Sequence, residues 1–83
     1  MKVNIKYFAS IREALGRGNE AVDTSASSIG GLRDELIARG GSHAASLARG
    51  RAVRAALDQV MSNEEAALAE GCEVAFFPPV TGG

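Results

Sequence analysis

The sequence is poor in the residues from which most catalytic and metal sites are built. It has no tryptophan, one cysteine (Cys72) and one histidine (His43). One thiol cannot form an internal disulfide, and one histidine with one cysteine provides neither a metal cluster nor a nucleophile with its base. We therefore expect Cys72 to be a packing residue and His43 to be a surface residue without a partner.

An excess of charge of one sign is also lacking. Nine basic and ten acidic residues give a net charge of −1. No basic stripe is interleaved with aromatic residues, so a nucleic-acid surface has no support. No apolar run approaches ~18 residues, and no signal-peptide pattern precedes the first predicted strand. The sequence predicts a soluble, cytoplasmic protein with neither a nucleic-acid nor a membrane partner.

Little chain is available for a core. Eighty-three residues form one small domain, and a chain of this size buries only about 60–65% of the surface that its unfolded state exposes. Such a core leaves little room for an internal cleft with walls around it. We expect a binding or carrier module without an autonomous active site, and no cofactor bound by this chain alone.

Alternation of apolar and polar residues predicts the strands. In the segment KVNIKYF, residues 2–8, the apolar side chains occupy one face of a half-buried strand, while Phe8 falls on the polar face. In the final strand, Phe76 and Phe77 lie on opposite faces. Further strands are predicted in residues 19–24 and, on either side of a tight turn at Asp58-Gln59, in residues 53–57 and 60–61.

Short helices are predicted in residues 10–15 and 42–49. Ser10 and Glu13 have the spacing of a capping box, in which each side chain binds a backbone amide of the first turn. Gly16 is placed to end the first of these helices.

The main helix is predicted in residues 29–37, where apolar side chains recur at helical spacing. Ser28 is its cap, and the glycine pair that begins at Gly40 ends it. Gly30 and Gly31 each cost about 1 kcal/mol relative to alanine in the first turn, so we expect the start of this helix to be loose.

This order of elements predicts an α+β fold of the ubiquitin-like β-grasp type over residues 1–77, with a small mixed sheet and the main helix on one face. The helix leaves the other face of the sheet open. The predicted core contains Val3, Ile5, Tyr7, Val53, Leu57, Val74 and Phe76, packed against Ile29, Leu32 and Leu36.

The segment VAFFPPVTGG leads from the last strand into a predicted tail, residues 78–83. Pro78 has no amide hydrogen for a sheet, and Pro78 and Pro79 together keep the chain extended. Val80 and Thr81 favour the same extended geometry, and Gly82 and Gly83 form a thin, flexible tip. A frayed terminus without a function is the alternative.

The chemical group at this tip is an α-carboxylate, which is ionised at neutral pH and is a poor electrophile. A partner that uses ATP can convert it to an acyl-adenylate. Backbone without side chains can thread a narrow channel and approach phosphates closely. A persulfide or sulfide then yields a thiocarboxylate, whereas a lysine amine yields an isopeptide bond.

The ending FFPPVTGG, the opening VNIKYFASIREALG and the leucine-containing main helix resemble the ubiquitin-like sulfur carriers, in particular the small subunits of molybdopterin synthase. The resemblance implies that Gly83 is adenylated by an E1-like activating enzyme with ATP and Mg. Sulfur from a sulfurtransferase or cysteine desulfurase then gives the thiocarboxylate. The tip, in which Gly82 allows threading, enters the large catalytic subunit of the synthase and gives sulfur to a cyclic pyranopterin precursor. Two small and two large subunits are the assembly that the resemblance implies.

The same resemblance places partner contacts on the open face of the sheet. Phe8, Met61 and Phe77 are the predicted contacts, because a cluster of large apolar side chains is typical of a docking surface. Arg12 is a predicted contact at the rim. The predicted contacts within the tail are Pro78, Pro79, Val80 and Thr81.

Two other interpretations stay open. The same tail chemistry serves sulfur transfer to thiamine or tRNA, and it also serves a ubiquitin-like modifier of protein lysines. A β-grasp interaction module that carries no sulfur is the third possibility, and it requires only that the tail be frayed.

Overall fold

A computed structural model of the protein describes residues 1–79. Within them the chain forms β1 (Lys2–Tyr7), α1 (Ala9–Leu15), β2 (Asn19–Asp23), α2 (Ile29–Ala38), α3 (Gly41–Leu47), β3 (Arg54–Leu57), β4 (Val60–Ser62) and β5 (Glu73–Phe77). The predicted order of elements is confirmed. None of the helices in these residues is long and apolar enough to cross a membrane.

The strands form one mixed sheet in the order β2-β1-β5-β3-β4. Neighbouring strands are antiparallel except at the centre, where β1 and β5 run parallel with Ile5 opposite Val74 and Tyr7 opposite Phe76. The mixed sheet predicted from the sequence is confirmed. Its central pair joins the first and the last strand of the described chain.

The core lies between the sheet and the helices. In β1, Val3, Ile5 and Tyr7 are buried while the residues between them are exposed, as the alternation predicted. The buried cluster also contains Ile29, Leu32, Leu36, Leu47, Val74 and Phe76. Val53 and Leu57, which were predicted as core residues, are only half-buried at its margin. They lie toward the β4 side of the sheet, away from the central pair.

The predicted capping box in α1 is wrong. The helix begins at Ala9, so its cap position is occupied by Phe8, which has an extended backbone and makes no side-chain cap hydrogen bond. Ser10 is therefore already inside the first turn. Gly16 ends the helix in the left-handed conformation, with φ of 74°, as predicted.

The start of α2 is held firmly, contrary to the prediction that it is loose. The Ser28 hydroxyl accepts a hydrogen bond from the amide of Gly31. The amides of Ile29 and Gly30 donate to the carbonyls of Ala66 and Glu64, at 3.1 and 2.8 Å. These contacts bring the loop before β5 so close that a Cβ atom on Gly30 would lie 3.2 Å from the carbonyl oxygen of Glu64. The close approach of the two backbones therefore favours glycine at this position.

A buried arginine joins α2 to two loops. The side chain of Arg33 donates to the carbonyls of Leu47 and Ala48, both at 2.7 Å, and to that of Arg51 at 3.2 Å. Its remaining contact is a salt bridge of 2.8 Å to Glu64. Arg33 is only 4% exposed, and the carbonyls and the carboxylate together satisfy the desolvated guanidinium.

Candidate functional site

The predicted tail leaves the sheet from its centre. Strand β5 lies between β1 and β3 and ends at Phe77. Pro78 and Pro79 follow as half-buried residues without regular secondary structure, consistent with the lack of an amide donor in proline. Val80, Thr81, Gly82 and Gly83 lie outside the described residues. Their roles, and the division at residue 78 into domain and tail, therefore stay predictions.

The open face of the sheet is the face opposite the helices. On it Phe8 is 46% exposed, Met61 is 60% exposed and Phe77 is half-buried. Phe8 and Phe77 lie at the same end, since the amide of Phe8 donates to the carbonyl of the neighbouring Phe76 at 3.1 Å. Met61 lies across the sheet from them. Two small residues, Ala56 and Ala75, form the floor between these larger side chains.

Arg12 lies one helical turn from Phe8, since its amide donates to the Phe8 carbonyl at 3.3 Å. It is an exposed residue of α1, and its Nε atom lies 3.2 Å from where a Cβ atom would stand on Gly18, just before β2. Its role as a rim contact stays a prediction.

Sequence reasoning missed two exposed residues of the strands β3 and β4. Val60 is 65% exposed on β4, but it is paired with Leu57 and so belongs to the opposite side of the sheet. Arg54 is exposed and paired with Phe77 on β5. The alternation along residues 53–57 already places Arg54 on the open face, so this position was available from the sequence.

A carboxylate with four hydrogen-bonding or charged partners lies at the β2 edge. The hydroxyl of Tyr7 donates to Oε2 of Glu20 at 2.7 Å, and Arg39 and Arg17 contact Oε1 at 3.0 and 3.2 Å. The Glu20 side chain is only 8% exposed. Burial raises the pKa of this carboxyl, but the hydrogen bonds from Tyr7, His43 and Arg39 outweigh burial and lower the pKa to about 2. Burial and the bond to Glu20 raise the pKa of Tyr7.

The prediction that His43 is a surface residue without a partner is wrong. Its Nε2 atom lies 3.1 Å from Oε2 of Glu20, and its ring meets the ring of Tyr7 edge-on, with the centroids 6.1 Å apart. The side chain is 17% exposed. Helix α3 brings it to β2 from a distant part of the chain, which a single sequence does not reveal.

Cys72 is a packing residue, as predicted. It is 5% exposed, belongs to the core cluster and carries a free thiol. Across residues 1–79, no group of three histidine, cysteine, aspartate or glutamate side chains is placed to hold a metal ion.

The mixed sheet, the main helix and the exit of the chain from the central strand define a ubiquitin-like β-grasp protein. The chain belongs to the ThiS family, which it matches over residues 5–83. It is 33% identical to the molybdopterin synthase sulfur carrier subunit of Haemophilus influenzae and 35% identical to that of Escherichia coli, each over 81 residues. Each alignment covers 98% of this chain and 99% of the relative. The predicted family is confirmed.

Solved structures support the same fold. The crystal structure of SAMP1 from Haloferax volcanii is 26% identical, with a TM-score of 0.79 and full coverage of both chains. A chain from the complex of subunits 1 and 2 of the molybdopterin-converting factor of Helicobacter pylori is 24% identical, with a TM-score of 0.69 and full coverage of both chains. The predicted β-grasp fold is confirmed.

Proposed function

We propose that this chain is the sulfur carrier subunit of a molybdopterin synthase. The observation that carries the proposal is the similarity to two sulfur carrier subunits over nearly the full length of both proteins. The family match extends through Gly83, so it includes the tail on which the chemistry depends.

In this proposal the reactive group is the terminal carboxylate of Gly83. An E1-like activating enzyme uses ATP and Mg to form the acyl-adenylate, and pyrophosphate leaves. A persulfide on a sulfurtransferase or cysteine desulfurase then attacks the adenylate and displaces AMP, which gives an acyl disulfide. A second thiol reduces this disulfide, and the thiocarboxylate is released. This chain supplies no ATP site of its own in the proposal. Because the activation consumes ATP, we place it in the cytoplasm.

The open face is the proposed docking surface for the large catalytic subunit. Ordering four tail residues in a channel costs roughly 4–8 kcal/mol at ~1–2 kcal/mol each. Burying three large apolar side chains contributes about 1.5–3 kcal/mol each. Contacts through Phe8, Met61 and Phe77 therefore offset the cost of threading, which a glycine tip does not offset by its own contacts.

Complementation tests this function directly. A bacterial strain that lacks its own carrier subunit should regain molybdoenzyme activity when it expresses this chain. The matched control is the same chain without Gly83, at equal protein level, which should give no activity. Lack of rescue by the well-expressed full chain, together with the large subunit of its own organism, would contradict the assignment.

A protein modifier is the second candidate, favoured by the similarity to SAMP1, a small archaeal modifier protein. Intact-mass measurement after incubation with an activating enzyme, ATP and a sulfur source distinguishes a sulfur carrier of either kind from a module that carries no sulfur. Replacement of one oxygen by sulfur supports a carrier, and an unchanged mass favours the module. Lysine-linked conjugates in cell extract favour the modifier, and capture of a thiazole-forming or tRNA-modifying enzyme favours the other thiolation pathways.

A further inference from the structure

A positive charge stands beside the aromatic end of the open face. Arg54 is the first residue of β3 and is directly opposite Phe77 on β5. Residues opposite each other in antiparallel strands project to the same side of the sheet. The next pair, Ala55 and Phe76, is buried on the helix side. Arg54 therefore projects beside Phe77 on the open face.

The charge of Arg54 has no counter-ion within residues 1–79, where its side chain makes neither a salt bridge nor a hydrogen bond. Three other arginines differ in this respect. Arg33, Arg39 and Arg49 each contact a carboxylate at 3.0 Å or less. The fold thus satisfies these guanidinium groups internally and leaves Arg54, like Arg12 and Arg51, in solvent.

The acidic groups of the open face lie at the opposite end of β5 from Arg54. At the start of β5, Glu73 binds Lys6 at 3.3 Å, and its amide donates to Asp58 at 2.9 Å. The acidic groups thus lie where β5 begins. Arg54 and Phe77 lie where β5 ends, directly before Pro78.

We propose that Arg54 is a specificity residue of the docking surface, which selects a partner with a carboxylate beside the channel that receives the tail. The inference rests on the proposed function, since the partner is the large synthase subunit. Burial of a guanidinium against a purely apolar surface costs much free energy, because the charge loses its hydration without gaining a partner. A carboxylate on the partner can instead bind the guanidinium through two charge-assisted hydrogen bonds. A partner without this carboxylate is thereby rejected even if it fits Phe8 and Phe77.

The test is calorimetric titration of the full chain with the purified large subunit of the same organism, at low and at high salt. Arg54→Glu and Arg54→Leu should each weaken binding by at least about 10-fold at low salt. Salt should weaken wild-type binding more than binding by Arg54→Leu, because only the wild type forms the ion pair. The matched control is Arg51→Glu, an equal charge change at an exposed loop position, which should change affinity by less than about threefold.

Binding by Arg54→Leu as tight as, or tighter than, that of the wild type would overturn the inference while leaving the proposed function intact. Failure of the wild-type chain to bind the large subunit would overturn both. Thermal melting of each variant verifies folding, and all should melt close to the wild type because the substituted side chains are exposed.

Discussion

Tyr7 on β1 and Glu20 on β2 join their two strands through a hydrogen bond of 2.7 Å between the side chains. The bond lies at the end of a half-buried network in which Glu20 also contacts His43 and Arg39. Because the carboxyl is ionised when it receives these bonds, the folded state holds its pKa at about 2, against an ordinary value of 4.5. The network therefore links stability to pH.

We expect Glu20 to be a main source of acid lability. A pKa lowered by folding stabilises the protein fully above the unfolded-state pKa, and the stabilisation is lost as pH falls from about 5 to about 2. The shift corresponds to a contribution on the order of 3 kcal/mol at neutral pH. Urea unfolding of wild type and Glu20→Gln at pH 7, 4 and 2.5 measures it. The difference between the two proteins should shrink with acid, and a difference that stays constant would contradict the assignment.

Replacement of the buried Arg33 by lysine should destabilise the protein. Lysine keeps the charge but cannot reach three carbonyls and Glu64 with one ammonium group, so buried acceptors lose their partners. We expect Arg33→Lys to lower the free energy of unfolding by about 2–4 kcal/mol. The control, Arg51→Lys on the exposed loop, should change it by less than about 0.5 kcal/mol. Equal stability of the two variants in denaturant titration would show that the buried contacts are dispensable.

Phe77→Asp should separate docking from folding. The substitution places a charge on the open face and leaves the buried Phe76 in place, so affinity for the large subunit should fall by at least about 10-fold. The melting temperature should change little. Val60→Asp is the matched control, because Val60 is exposed on the opposite side of the sheet, and it should bind normally. Unfolding of Phe77→Asp with unchanged affinity per folded molecule would mean that the docking face is assigned to the wrong side.

The tail should be sensitive to length rather than to side-chain chemistry. One alanine added after Gly83 displaces the carboxyl by ~3.3–3.6 Å, and a misplacement near 1 Å can cost on the order of 10²-fold in rate. Thiocarboxylate formation and sulfur transfer should both collapse, and deletion of Gly83 should have the same effect. Cys72→Ser, a change in the core, should reduce stability but spare transfer by the folded protein. Normal turnover by the extended chain would contradict the carrier function.

The sequence predicted the features that local pattern determines. The alternation in residues 2–8 is a property of one strand, and the turn at Asp58-Gln59, where both residues have positive φ, follows from its neighbours. The burial of Phe76 and the exposure of Phe8 could therefore be predicted from the sequence. The position of Arg54 on the open face follows from the same alternation, whereas the lack of a partner for its charge within residues 1–79 does not.

Polar networks could not be predicted in this way. Glu20, His43 and Arg39 come from β2, α3 and the end of α2, and only the packing of these elements brings them together. The role of Gly30 could not be predicted either. Helix propensity describes an isolated helix and does not include the contact with the backbone of Glu64. In such places tertiary contacts override local preference.

The parallel pairing of β1 with β5 determines when the protein can fold during translation. Until β5 has left the ribosome, β1 has only β2 beside it, and a two-stranded pair is marginal in water. Pairing between strands so far apart in sequence is also slow to form. The docking face and the point where the tail departs are both built on β5, so they arise in the same folding event. A chain interrupted before Phe77 would then lack the face needed to compete with intact carriers for their partner.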